Sequence, residues 1–313
     1  MRWPTVLPVL ACVLSLRALA QAPETGPLVL LLPASTRAMA VGNAWVAGRD
    51  EDVIFYNPAQ LIGARPGVHL SLARYGSAST LGAMAGVYAA GPLSLTLGWG
   101  VQILDFATRP GEAYPFVPAI LGTRGTQEAL SMLATVGGAV TWKNFRGGIA
   151  VKYAADRVGT PAISAGGVSS SRYETFLSDF GLSHNLLRGV AALAVQNVGR
   201  GWVEGSRRIE VPLQTSLGWT STAWQAGAFD LAVAAQVTAR RGWIAPGGGV
   251  EVGWGWIEGY SVALRAGARK PETGSERPFT AGASFNADRF SLDYALQLFD
   301  GGRNAHRVTL HWR

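Results

Sequence analysis

From Val68 onward, apolar and polar residues alternate with a period of two, as in strands that turn one face to an apolar environment. The clearest stretch runs from Leu93 to Leu104: Leu93, Leu95, Leu97, Trp99, Val101 and Ile103 share one face, and Ser94, Thr96, Gly98, Gly100 and Gln102 the other. Phe290, Leu292, Tyr294, Leu296 and Leu298 likewise oppose Ser291, Asp293, Ala295 and Gln297. Tyr260, Val262 and Leu264 oppose Ser261, Ala263, Arg265 and Gly267. Fourteen such segments start near Val68, Leu81, Leu93, Leu130, Phe145, Glu174, Leu187, Leu213, Phe229, Val250, Tyr260, Phe279, Phe290 and Arg307. A tilted strand of about 9–11 residues crosses hydrocarbon, and bacterial single-chain barrels carry an even strand number. The pattern therefore predicts an all-β fold, a transmembrane antiparallel β-barrel of about 14 strands.

Loop lengths point the same way. Even-to-odd connections are short (Ala90-Gly91-Pro92, Lys143-Asn144, Glu258-Gly259, Ala287-Asp288-Arg289). Odd-to-even connections are mostly longer: Asp105 to Ala129, Val158 to Tyr173, Arg200 to Pro212, Arg240 to Gly249 and Lys270 to Pro278. Short turns at one rim and long loops at the other are the asymmetry of outer-membrane barrels. Trp142, Trp219, Trp256 and Trp312 fall near the ends of even segments, where an interfacial aromatic girdle would lie. The face opposite the apolar one carries Lys152, Asp179, Asp230, Glu251, Arg265 and Asp293, which are expected to face the lumen. A cation at mid-bilayer on the outer face would cost about 2–4 kcal/mol. No repeat of roughly 40–45 residues appears, which argues against a propeller.

Composition narrows the class further. Hydrophobic residues make up 48% of the chain and charged residues 15%, against roughly a quarter charged in ordinary soluble domains. That much apolar surface excludes intrinsic disorder. The longest uncharged apolar run, Val6 to Leu16, is shorter than the roughly 18 residues a spanning helix needs, so a helical membrane protein is excluded too. The net charge of +7 comes from basic residues that never cluster beyond pairs such as Arg207-Arg208 and Arg240-Arg241, so nucleic acid is not an expected partner. Residues 1–20 read as a secretory signal peptide: Arg2, the apolar Val6–Leu16 and a small-residue cleavage site at Ala18-Leu19-Ala20. The single cysteine, Cys12, lies in this leader. Export to the bacterial outer membrane follows, with membrane lipid and lipopolysaccharide as surroundings. The arginines of the odd-to-even loops, Arg240 and Arg241 among them, would meet the lipopolysaccharide phosphates.

Residues 21–66 do not alternate. They hold a small-residue stretch from Arg37 through Gly42 to Ala47, the acidic run Asp50-Glu51-Asp52, and Phe55-Tyr56-Asn57-Pro58-Ala59. Small residues permit close packing on a wall, and Asn-Pro forces an extended residue and a turn. This segment is expected to be a hatch inside a barrel formed by residues 67–313. At this point the chain resembles the PorV/PorQ family of outer-membrane proteins, relatives of the FadL-type long-chain fatty-acid transporters. The resemblance rests on Arg37-Ala38-Met39 with Gly42 and Ala44, on Asn57-Pro58-Ala59, and on Val195-Gln196-Asn197-Val198-Gly199, Val211-Pro212-Leu213 and Phe290 to Ala295. It implies a fourteen-stranded barrel with an N-terminal hatch, in which Arg37, Gly42, Asn57, Pro58 and Ala59 border the ligand path. It also implies secreted proteins or secretion machinery as partners in type IX-like secretion or surface attachment. The alternatives are FadL-like passive transport of a hydrophobic ligand and a structural barrel without transport.

No nucleophile elbow, His-Glu-x-x-His or phosphate-binding loop occurs, so neither an enzyme nor a cofactor is expected. His69 and His184 stand alone in sequence, and His306 and His311 read as polar residues at a strand end, so no metal site is expected either. Asp50, Glu51 and Asp52 could attract a divalent cation, but a solvated or Arg37-paired hatch surface is the preferred reading.

Overall fold

The computed structural model describes residues 26–76, 79–90, 95–108, 127–160, 169–204, 207–302 and 304–312. The leader therefore lies outside the described residues, as do most of the two longest loops. Fourteen strands build the wall: β1 (Gly67–Tyr75), β2 (Ser79–Ala90), β3 (Leu95–Thr108), β4 (Gln127–Trp142), β5 (Phe145–Thr160), β6 (Ser169–Leu186), β7 (Gly189–Gly199), β8 (Gln214–Ser221), β9 (Phe229–Arg240), β10 (Trp243–Ile257), β11 (Tyr260–Arg269), β12 (Glu276–Ala287), β13 (Phe290–Phe299) and β14 (Ala305–Trp312). Each runs antiparallel to its neighbours, and β1 pairs with β14, so the sheet closes on itself. A three-residue strand, Trp224–Ala226, continues the wall position of β8 against the start of β9. A small hairpin, Trp202–Glu204 with Arg207–Ile209, lies in the β7–β8 connection.

Closure answers a backbone constraint. In hydrocarbon an unpaired N–H or C=O costs several kcal/mol, so a spanning sheet can have no free edge. Side-chain parity then divides the strands. Leu70, Leu72, Leu97, Val136, Ile149, Leu264 and Leu310 are exposed, while His69, Ser71, Gln102, Thr135, Lys152 and Thr309 are buried. An apolar outer surface of this extent belongs against lipid. Tyr88, Trp142, Trp256, Phe290 and Trp312 stand exposed at the short-turn rim, where amphipathic rings favour the headgroup layer. Among the described residues no helix is long and apolar enough to cross a membrane; the strands do so.

The expected strand starts hold to within a few residues except where the loops run shorter than the sequence suggested. β6 begins at Ser169 rather than near Glu174, and β5 continues to Thr160. The larger correction concerns Arg240 to Gly249. Arg240 pairs directly with Trp243, leaving a two-residue turn with Gly242 at φ 68°, and β10 starts seven residues before Val250. Gly247, Gly248 and Gly249 hide the alternation there, and packing against the hatch explains Gly247 and Gly249. A Cβ on Gly247 would come within 2.3 Å of the Gly42 carbonyl oxygen, and one on Gly249 within 2.7 Å of Val41 Cα. The inner wall is bare because the hatch lies against it.

Leu264, outward at the middle of β11, sets a direct test of the lipid-facing surface. Leu264→Arg should lower folding stability in lipid vesicles by about 2–4 kcal/mol, and Phe279→Arg near the opposite rim by about 0–1 kcal/mol. Denaturant titration of the refolded barrel measures both, and equal costs would contradict the assigned membrane depth.

Candidate functional site

The bore is filled by residues 26–66. A 3-10 turn at Leu28–Leu30 leads to α1 (Thr36–Ala40), which Ser35 caps by accepting the Ala38 N–H through Oγ at 3.1 Å. Gly42 and Asn43 follow at φ 67° and 58°, turning the chain away from the wall. A Cβ on Gly42 would sit 2.3 Å from the Ala268 carbonyl oxygen, so only glycine fits there. Two further 3-10 turns, Glu51–Phe55 and Pro58–Gly63, flank Asn57. Asn57 caps the second turn, its Oδ1 accepting the Ala59 N–H at 3.0 Å, with Pro58 at the first position where no amide donor is needed. Its Nδ2 donates to the Val46 carbonyl at 2.9 Å. The motif lies on glycines of β5 and β6. A Cβ on Gly148 would meet the Ala59 nitrogen at 2.4 Å, and one on Gly181 would meet Asn57 Oδ1 at 1.9 Å.

Inward polar residues of the wall grip the hatch backbone. Gln236 Oε1 accepts the N–H groups of Trp45 (2.9 Å) and Val46 (2.7 Å), and Gln196 Nε2 donates to the Phe55 carbonyl at 2.7 Å. Arg307, fully buried, donates to the carbonyls of Pro33 and Ala34 and to Ser71 Oγ. Tyr56 accepts the Ala34 N–H through its hydroxyl at 2.9 Å and donates to Asn43 Oδ1 at 3.1 Å. Burial raises its pKa and keeps that donor in place.

A chain of charges crosses from hatch to wall. Arg37 bonds Asp50 (3.2 Å) and Glu251 (2.8 Å), and Glu251 also bonds Arg265. Arg265 reaches Asp293 Oδ1 at 3.0 Å, and Asp293 Oδ2 meets His311 Nε2 at 2.9 Å. His311 Nδ1 returns to hatch Glu51 at 2.8 Å. Burial, with the neighbouring Asp50 carboxylate, pushes the Asp52 carboxyl up to about 7. A separate pair, Lys152 and Asp179 at 2.6 Å, fixes an irregularity of β7. There Asn197, at φ 61°, gives its N–H to Asp179 Oδ1 and accepts from Lys152 Nζ.

The hatch divides the lumen into unequal spaces. Toward the long loops lies a cavity of about 60 Å³ lined by Val29, Leu31, Leu32, Phe55, Leu133 and Trp243 together with Gln102, Lys152 and Asn197. Toward the short turns lies one of about 730 Å³, bordered by Arg37, Asp50, Asp230, Glu251, Arg265 and Asp293.

Solved structures share this architecture. The Pseudomonas putida toluene transporter TodX matches with a TM-score of 0.57 at 9% identity, covering 93% of this chain and 98% of TodX. A Pseudomonas aeruginosa FadL homologue matches with a TM-score of 0.55 at 11% identity, covering 93% and 99%. The monoaromatic hydrocarbon channel CymD matches with a TM-score of 0.54 at 11% identity, covering 89% and 95%. The likeness is one of fold. No protein-family model and no curated protein matches the sequence.

The structure brings Arg37, Glu251, Arg265 and Asp293 into one cluster, and sets Lys152 and Asp179 apart from it in the wall. Asp230 opens onto the larger cavity. Gly42, Asn57, Pro58 and Ala59 form the contact between hatch and wall. One expectation changes in part. The acidic run is buried rather than solvated, while its pairing with Arg37 holds, through Asp50 at 3.2 Å. Arg240 and Arg241 are matched by carboxylates, Glu272 at 2.8 Å and Glu210 at 2.6 Å, with Arg240 also stacked on Trp243. The side chains of Arg172, Arg207, Arg208 and Arg303 lie outside the described residues.

Sequence reading missed Gln196, Gln236, Arg307 and the pairing of His69 with His311. All five sit at inward parity, which was a usable signal; what each would touch was not.

Replacing Asn57 with Ala removes both a cap and a bridge to Val46. Amide exchange across residues 43–61 should speed up by the equivalent of about 1–3 kcal/mol while the wall stays protected. Unchanged protection of that segment would show that the motif does not hold the hatch.

Proposed function

We propose that this chain is a non-enzymatic outer-membrane channel for passive entry of hydrophobic small molecules. The supporting observation is a hatch that corks a barrel sharing its fold with a FadL homologue, beside a small long-loop cavity where Val29, Leu31, Leu32, Phe55 and Leu133 lie among polar groups such as Gln102 and Lys152. An apolar ligand gains about 25 cal/mol for each Å² it withdraws from water, so the apolar part of this cavity would favour its first contact. Onward passage requires the hatch to yield. The fold neighbours named for toluene transport and for monoaromatic hydrocarbons support ligands of that class. Membrane lipid is then the outer partner, and the signal-peptide reading accounts for export.

The resemblance to the PorV/PorQ family favours a different role, with secretion machinery or secreted cargo as partners. Its motifs do not separate the two. Asn57 and Gln196, both within those motifs, serve to dock the hatch, a need common to either role. The fold neighbours named for toluene and monoaromatic hydrocarbons favour the channel reading.

Uptake of labelled monoaromatics and fatty acids should rise several-fold in cells displaying the full-length chain over cells displaying a charged-pocket variant, Leu133→Glu. Equal uptake, with exported proteins retained in the periplasm when the gene is removed, would overturn the channel reading in favour of secretion.

A further inference from the structure

His69 and His311 are separated by almost the whole barrel in sequence, yet they are direct cross-strand partners where β1 meets β14. Both face inward and are buried, at 1% and 2% exposure, with ring centroids 5.6 Å apart. Glu51 of the hatch completes the group: one ligating atom from each of the three residues lies within 4.8 Å of the others. His311 is bonded on both sides, Nδ1 to Glu51 and Nε2 to Asp293. His69 is not. Neither of its ring nitrogens has a hydrogen-bond partner, although the residue is shut away from water. Leaving a buried imidazole unsatisfied costs free energy, and such a group calls for a ligand.

Two imidazoles and a carboxylate form a donor set characteristic of zinc. Around it, the metal's usual supporting shell is already built. A ligating histidine typically passes its second ring N–H to a carboxylate, and Asp293 stands 2.9 Å from His311 Nε2 to receive it. Charge favours a cation as well. The linked carboxylates Asp50, Glu51, Glu251 and Asp293 are bonded by two guanidiniums, Arg37 and Arg265, and by the His311 imidazole. The 730 Å³ cavity borders Asp293, the carboxylate bonded to His311.

We propose that Glu51, His69 and His311 bind one divalent cation of the zinc class, joining the first strand, the last strand and the hatch at the seam where the barrel closes. The ion replaces the proton held between Glu51 Oε2 and His311 Nδ1 and takes a nitrogen of His69 as its third protein ligand. The site is independent of what the channel carries.

The test uses the full mature chain without a polyhistidine tag, refolded in detergent, stripped with chelator and titrated with Zn²⁺. Wild type should bind one equivalent, develop the visible spectrum of a tetrahedral site when Co²⁺ is used instead, and unfold at a higher temperature once loaded. His69→Ala leaves the Glu51–His311–Asp293 bonds in place, and it should weaken Zn²⁺ binding at least about tenfold and abolish the thermal gain. His69→Gln serves as the second variant if the alanine barrel does not fold. Failure of the wild type to bind, or equal binding and equal thermal gain in both histidine variants, would overturn the site.

Discussion

Every peptide group in the wall must find its partner within the sheet, because lipid offers none. From that one requirement the rest follows. The sheet must close, closure puts β1 beside β14, and the two-residue repeat of a strand then sends alternate side chains to lipid and to the bore. Leu70, Leu72 and Leu310 are exposed for the same reason that Ser71, His69 and His311 are buried.

A bore lined with polar groups carries its own difficulty, since desolvated charges are costly unless matched. The hatch takes part in the matching. Arg37, Asp50 and Glu51 come from the hatch; Glu251, Arg265, Asp293 and His311 come from the wall. Two pairs cross between them, Arg37 with Glu251 and Glu51 with His311, which couples seating of the hatch to the integrity of the barrel. On the opposite side, Gln196 and Gln236 satisfy hatch backbone groups by hydrogen bonds without charge. The hatch is thus held firmly by ions on one side and more lightly by neutral bonds on the other.

Glycine placement records the same fit. Gly148 and Gly181 admit the Asn57-Pro58-Ala59 turn, while Gly247, Gly249 and Gly267 admit Val41 and Gly42. Where the hatch touches the wall at backbone distance, the strand loses its alternation. This is why β10 read as a loop until Val250 although its ladder begins at Trp243. The sequence departed from its own pattern at the points where two segments meet most closely.

Strand number, facing and the polarity of the two rims were decided locally, because alternation and turn length are properties of short stretches of chain. The sequence also marked residues 21–66 as a segment apart. Which inward residues would meet was decided only by the fold. His69 and His311 sit at opposite ends of the wall's sequence, and their contact depends on the register of the closing pair, which no short stretch contains. The burial of Asp50, Glu51 and Asp52 is of the same kind. A run of three acids looks wet until a tertiary structure buries it, with Arg37 on Asp50 and, from the far end of the chain, His311 on Glu51.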